Sequence, residues 1–206
     1  MIVIIDYGMG NIGSLQNMIK KAGGTSTISS NARDIENAEK LILPGVGAFD
    51  NGMTNLQKLG LINVLNKKAV VEKTPILGVC LGMQLLTKSS EEGVLSGLGW
   101  LNAKTVKFKF TGDSKKLKLP HMGWNTITIR KESLLFNGMY EDARFYFVHS
   151  YHLVCEDESD ILTTTNYGYD FVSAVEKGNI FGVQFHPEKS HKYGLKLIKN
   201  FLELVK

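Results

Sequence analysis

Short apolar runs alternate with helix-like segments through the N-terminal half of the chain, and that alternation narrows the fold more than any other feature. Ile2–Ile5 reads as a buried parallel strand. Ile12, Leu15, Met18 and Ile19 then share one helical face, which ends at Gly23-Gly24. Thr25–Ile28 reads as a second strand, followed by a polar helical piece around Ala32–Ala38, and Leu41–Leu43 as a third strand stopped by Pro44. Met53, Leu56, Leu59, Ile62 and Leu65 predict one longer amphipathic helix, and Pro75–Val79 a strand that runs straight into Cys80 and a helix at Met83–Leu86.

The C-terminal half changes character. Val106–Phe110, Asn125–Ile129, Phe145–Leu153, Ile161–Thr165, Phe171–Val175 and Ile180–Phe185 read as strands with little helix between them. A closing helix puts Tyr193, Leu197, Ile198, Phe201, Leu202 and Val205 on one face. The expectation is a single α/β domain over residues 1–206: an open, mostly parallel central sheet flanked by helices, with an antiparallel extension.

Composition removes several function classes. At 43% hydrophobic and 21% charged, with a net charge of +4, the balance is that of an ordinary globular chain and implies no nucleic-acid partner. No apolar run approaches a membrane span, and no secretory signal is evident, so a cytoplasmic location is expected. Two cysteines, Cys80 and Cys155, make no disulfide framework and no metal cluster. The lysines of "KTVKFKFTGDSKKLK" (Lys104, Lys107, Lys109, Lys115, Lys116, Lys118) read as a solvated strand face and loop.

Gly8, Gly10 and Gly13 have the G-x-G-x-x-G spacing of a dinucleotide-binding turn, directly after the first strand. That chemistry needs an acid at the end of the second strand to hold a ribose hydroxyl. The chain offers Ser29-Ser30-Asn31 there, with Asp34 displaced further along. No cofactor is expected.

"Gly78-Val79-Cys80-Leu81-Gly82" has the form of a nucleophile elbow with cysteine at its centre. Such a turn lifts the side chain above the C-terminal edge of the sheet, where a helix start favours the thiolate. The Leu81 N–H would aim at a developing oxyanion. A base comes from "Gly182-Val183-Gln184-Phe185-His186-Pro187-Glu188-Lys189": in extended chain His186 and Glu188 point to the same side, so the carboxylate can fix the imidazole tautomer. Cysteine, histidine and glutamate thus supply nucleophile, base and orienting group.

"GVCLGMQLL" followed by "FGVQFHPEKS" resembles the triad-type, class I glutamine amidotransferases, which release ammonia from glutamine. "LPGVGAF", "PHMGWN" and "YFVHSY" narrow the likeness to the glutaminase subunits of imidazole glycerol phosphate synthase. The resemblance runs from the first strand to the last helix and implies a flavodoxin-like fold. It implies that Cys80 attacks the glutamine amide, His186 shuttles protons and Glu188 orients His186. It implies an oxyanion hole from Leu81 with Val46 and Gly47, and substrate contacts from Gly47, Gln84, Glu92, His149, Ser150 and Tyr151. Asn11, His121, Trp124, Asn125, Tyr146 and Lys189 would form a docking face for a (β/α)8-barrel synthase. Gly45 and Gly47 flank Val46, and a Gly45-Val46 peptide that switches between two orientations would keep glutaminase weak until the partner binds its ligand. No metal is implied.

Three other readings stay open on sequence alone. The same glutaminase chemistry could serve a different synthase, such as one that amidinates a bacterial surface sugar. The fold could carry a stand-alone cysteine hydrolase. The glycine-rich turn could mark a nucleotide-binding module.

Overall fold

The computed structural model of the protein describes residues 1–205. Strands β1 (Ile2–Ile5), β2 (Ser26–Ser29), β3 (Lys40–Leu43) and β4 (Ile76–Val79) alternate with helices α1 (Ile12–Lys21), α2 (Ala32–Glu36), α3 (Phe49–Lys58) and α4 (Leu61–Asn66), and α5 (Leu81–Leu85) follows β4. The chain continues through β5 (Ser89–Ser90), β6 (Ala103–Lys107), β7 (His121–Thr126), β8 (Thr128–Ile129), β9 (Arg144–His149) and β10 (Tyr151–Cys155). It closes with β11 (Ile161–Asn166), β12 (Asp170–Lys177), β13 (Ile180–Val183) and α6 (His191–Glu203).

The main sheet runs in the order β2-β1-β3-β4-β13-β12-β10-β6-β5, with β11 and β8 added alongside β12. Pairing is parallel from β2 to β13 and antiparallel across β13-β12-β10-β6. The expected mostly parallel sheet with an antiparallel extension is therefore observed. Leu41–Leu43 of β3 and the whole of β4 are apolar and buried because both faces are covered. Val3 and Ile5 enter one core with Phe49, Leu56 and Leu81, whereas Ile4 enters the other with Leu15, Leu197 and Phe201. Helices α2 to α5 thus cover one face, and α1 and α6 the other. Leu197, Ile198 and Phe201 of α6 are fully buried, each contributing about 2 kcal/mol of transfer free energy.

Four sequence expectations need correction. The single helix through Met53 and Leu65 is two helices, because Gly60 adopts φ 68° as the cap of α4 and leaves Leu59 at 47% exposure. The run Phe145–Leu153 divides at Ser150: β9 pairs with β7 in a separate two-stranded ribbon, and β10 joins the main sheet. Asn125–Ile129 divides likewise, β7 going to the ribbon and β8 to β11. The strand expected at Val106–Phe110 is Ala103–Lys107. Phe108 is buried all the same and Lys107 and Lys109 are exposed, so the alternation describes burial beyond the end of the ladder. Among the described residues, no helix is long and apolar enough to cross a membrane.

Candidate active site

Parallel pairing of β4 with β13 sets Val79 beside Val183, so the residues after the two strands emerge together at the C-terminal edge of the sheet. Cys80 is tied there by its N–H donating to the Val183 carbonyl at 2.8 Å. The cysteine has φ 54° and ψ −109°, a conformation that costs a side-chain-bearing residue free energy and marks a sharp elbow. Glycine is required next to it: a Cβ on Gly82 would lie 1.8 Å from the Leu43 carbonyl oxygen. Sγ lies 3.7 Å from the Gln184 amide nitrogen and 4.0 Å from the Val148 carbonyl oxygen.

His186 Nδ1 meets Glu188 Oε1 at 2.8 Å, with both side chains 1% exposed. Burial pulls the imidazole pKa down, but interaction with the Cys80 sulfur and the Glu188 carboxylate overrides it, and the group is raised above its ordinary value. His186 Nε2 is buried without a hydrogen-bond partner. An unpartnered ring nitrogen beside a thiol is suited to proton transfer. The loop is held by Ser190, whose hydroxyl donates to the His186 carbonyl at 2.6 Å and accepts from the Tyr146 N–H at 3.0 Å.

The Pro44–Gly47 segment lies directly against this elbow. A Cβ on Gly45 would come within 2.7 Å of the Gly82 nitrogen, the Leu81 side chain and the Tyr7 hydroxyl. Tyr7, fully buried, donates to the Pro44 carbonyl. Val46 is half exposed, and Gly47 (φ 125°) packs beside Met9. The structure therefore brings Gly45 against Leu81 and Gly82, with Val46 and Gly47 the next residues along the chain. Gly10 of the opening glycine-rich turn packs on Gly45, and Asp34 is engaged by the Ser29 hydroxyl at 2.5 Å, so the turn supports the elbow.

Gln84 is buried and not part of a polar helix face: its amide donates to the Tyr151 carbonyl at 3.2 Å and to Gln184 Oε1 at 3.1 Å. Glu92 is half-buried and accepts from the Phe49 N–H at 2.8 Å, capping α3. It also lies near Tyr151, whose phenol is raised by burial first and then by the Glu92 and Glu91 carboxylates. His149, Ser150 and Tyr151 occupy the break between β9 and β10, next to Val148. Both nitrogens of the His149 ring are engaged, Nδ1 with the Tyr151 carbonyl at 2.7 Å and Nε2 with His121 Nδ1 at 3.0 Å. Burial holds His149 well below the ordinary histidine range.

The six residues expected on one docking face do not share one face. Along β7, alternation sends His121 inward and Trp124 outward. His121 is 3% exposed and stacks between Phe147 and Tyr167, with Asn125 donating to its Nε2 at 3.2 Å. Trp124 is 43% exposed and stacks on His191, with Tyr146 edge-on to it and the Lys189 ammonium 5.6 Å from the Tyr146 ring. Asn11 is half-buried at the start of α1. Sequence reading missed Gln184, Ser190 and Tyr7. The one signal available for Gln184 was a polar residue inside the apolar run "FGVQF".

A sheet with helices on both faces, a strained cysteine at the end of one central strand and a His–Glu pair beyond its neighbour together define a thiol enzyme of the α/β class. The family model "Glutamine amidotransferase class-I" matches residues 3–205. The chain belongs to the class I glutamine amidotransferases, alongside subunits of imidazole glycerol phosphate synthase. It is 61% identical over 203 residues to imidazole glycerol phosphate synthase subunit HisH 2 of Methanococcus maripaludis, covering 98% of this chain and 99% of that one. It is 53% identical to the Pseudomonas aeruginosa subunit of the same name, over the full length of both. A glutamine amidotransferase structure from Thermotoga maritima shares the fold at TM-score 0.69 and 16% identity, covering 98% of this chain and 96% of that one.

Proposed function

We propose that this chain is the glutaminase subunit of an imidazole glycerol phosphate synthase. It hydrolyses glutamine to glutamate and passes the ammonia to a (β/α)8-barrel synthase partner in a heterodimer. The product there is imidazole glycerol phosphate, with AICAR, in histidine biosynthesis. The observation that carries the reading is the buried His186–Glu188 pair beside Cys80 on a strained turn, in a chain that matches the HisH subunits end to end.

The Cys80 thiolate attacks the side-chain amide carbon of glutamine. Charge develops on the carbonyl oxygen, facing the Leu81 N–H and the Val46-Gly47 backbone. The His186 imidazolium gives its proton to the leaving nitrogen, the C–N bond breaks, and ammonia departs from a γ-glutamyl thioester. His186 then takes a proton from water, whose oxygen attacks the thioester and frees glutamate and the thiolate. Glu188 holds the imidazole tautomer throughout. Glu92 takes the substrate ammonium; Gln84 and the 149–151 backbone hold the rest of the amino acid.

Trp124, Tyr146 and Lys189 meet the partner, with Asn11 nearby. A half-exposed tryptophan beside a tyrosine and a lysine is suited to anchoring an interface. His121 and Asn125 stand behind that surface. The whole chain acts as one domain, and its place in amino-acid biosynthesis supports a cytoplasmic location. The test is Cys80→Ala in the assembled complex. Glutamine-dependent synthesis should vanish while synthesis from added ammonia persists, and loss of both would refute the division of labour.

A further inference from the structure

Gln184 is fully buried at the end of β13 and has no part in the triad. Its amide nitrogen lies 3.7 Å from the Cys80 sulfur. Whether it presents a donor or an acceptor there is fixed elsewhere in the structure. The Tyr151 carbonyl only accepts, so the Gln84 group facing it must be its NH2. The second Gln84 hydrogen then goes to Gln184, which must answer with its oxygen, at 3.1 Å. That turns the Gln184 NH2 toward Sγ. One backbone carbonyl thus dictates, through two buried amides, that a hydrogen-bond donor faces the sulfur.

We infer that Gln184 is a catalytic residue, an N–H donor that stabilises the Cys80 thiolate and is locked in orientation by Gln84 and the Tyr151 carbonyl. The inference rests on Cys80 being the nucleophile, as proposed above. An N–H donor makes its stronger hydrogen bond to a charged acceptor, so the amide is a better partner for S⁻ than for S–H. The opposing group is the Val148 carbonyl, which can accept only from the thiol and sits further away, at 4.0 Å. The titratable side chains interacting with Cys80 are His186, beyond β13, and Tyr7, from the loop after β1. His186 exchanges its proton during turnover, whereas the Gln184 donor is constant, so the sulfur meets the same donor both when it attacks and when it leaves as the thiolate.

The test uses the full chain in a Cys155→Ser background, so that alkylation reports on Cys80 alone. Iodoacetamide consumes the thiolate, forming the S–C bond as iodide leaves, and its rate measures the thiolate fraction. Gln184→Met keeps length and burial but removes the donor. The pH midpoint of alkylation should move up by about one unit, the weight of one charge-assisted hydrogen bond, so that the rate at a pH below both midpoints falls about tenfold. Glutaminase kcat in the complex should fall by a similar factor with KM changed less than twofold. If Gln184→Met does not fold, Gln84→Met releases the clamp with Gln184 in place and should shift the midpoint in the same direction, by less. An unchanged alkylation profile in either folded variant overturns the inference. Absence of glutaminase in the unsubstituted complex would instead overturn the functional reading, because alkylation is measured without substrate.

Discussion

Ser190 shows how one hydroxyl can set the position of a buried imidazole. It is fully buried and joins the His186 carbonyl to the Tyr146 N–H, so the loop carrying His186 and Glu188 is anchored to β9. Ser190→Ala takes the hydroxyl from the Tyr146 N–H and leaves the His186 carbonyl with the Lys189 N–H alone, at a cost of about 1–3 kcal/mol. Urea denaturation should register that loss, and kcat for glutamine should fall more than KM changes, because ring placement matters most in the transition state. The elbow is stricter. Gly82→Ala would drive a methyl into the Leu43 carbonyl, and the expected outcome is a chain that loses glutaminase and much of its stability together. At this scale the sequence was legible where chemistry is local: glycines stand two residues either side of Cys80, and His186 and Glu188 are two residues apart. A 3-10 turn at Pro187–Lys189, not the expected extended chain, brings that pair together. Gln184 and Tyr7 were not legible, because their partners lie 104 and 37 residues away in the chain.

The elements were legible where hydrophobic period and strand burial agree. Strands β1, β3 and β4 and helix α6 fall where the apolar runs place them, since each buries a continuous stripe. Period alone fails where the chain changes partner. Phe145–Leu153 is rich in strand-favouring residues along its whole length, yet its halves pair with β7 and with β6, a division made by tertiary contacts. The α3–α4 break is another case: the apolar spacing carries through Leu59, but Gly60 takes the left-handed conformation. Gly60→Ala should cost about 1 kcal/mol by chemical denaturation, with Gly60→Asn costing less. A helix that simply straightened would instead be stabilised by alanine. Strand alternation also explains why the "PHMGWN" stretch divides its labour: Trp124 faces solvent, whereas His121 joins the buried imidazole pair with His149.

The whole molecule carries a pH signature that no single motif announces. His121, His149 and His152 are all held below the ordinary value of 6.5 by burial, His121 at about 4. Below pH 6.5 the unfolded chain takes up protons that the folded chain refuses, so each histidine removes stability as acid is added, at most about 1.4 kcal/mol per pH unit and only down to its own lowered value. His186 is raised instead; its contribution is complete below the unfolded value and fades as pH rises toward the raised one. Stability should therefore peak near pH 6.5 and fall steeply by pH 5, before carboxylate protonation dominates. Urea midpoints at pH 7 and pH 5 check this, and equal midpoints would contradict the buried neutral histidines. The central claim, a glutamine-specific nucleophile at Cys80 feeding a synthase, is tested most directly by a glutamine analogue with an electrophilic carbon in place of the side-chain amide. Mass spectrometry of the treated complex should find one adduct, on Cys80, with glutamine-dependent synthesis lost and ammonia-dependent synthesis kept. Loss of glutamine-dependent synthesis with Cys80 unmodified would contradict it.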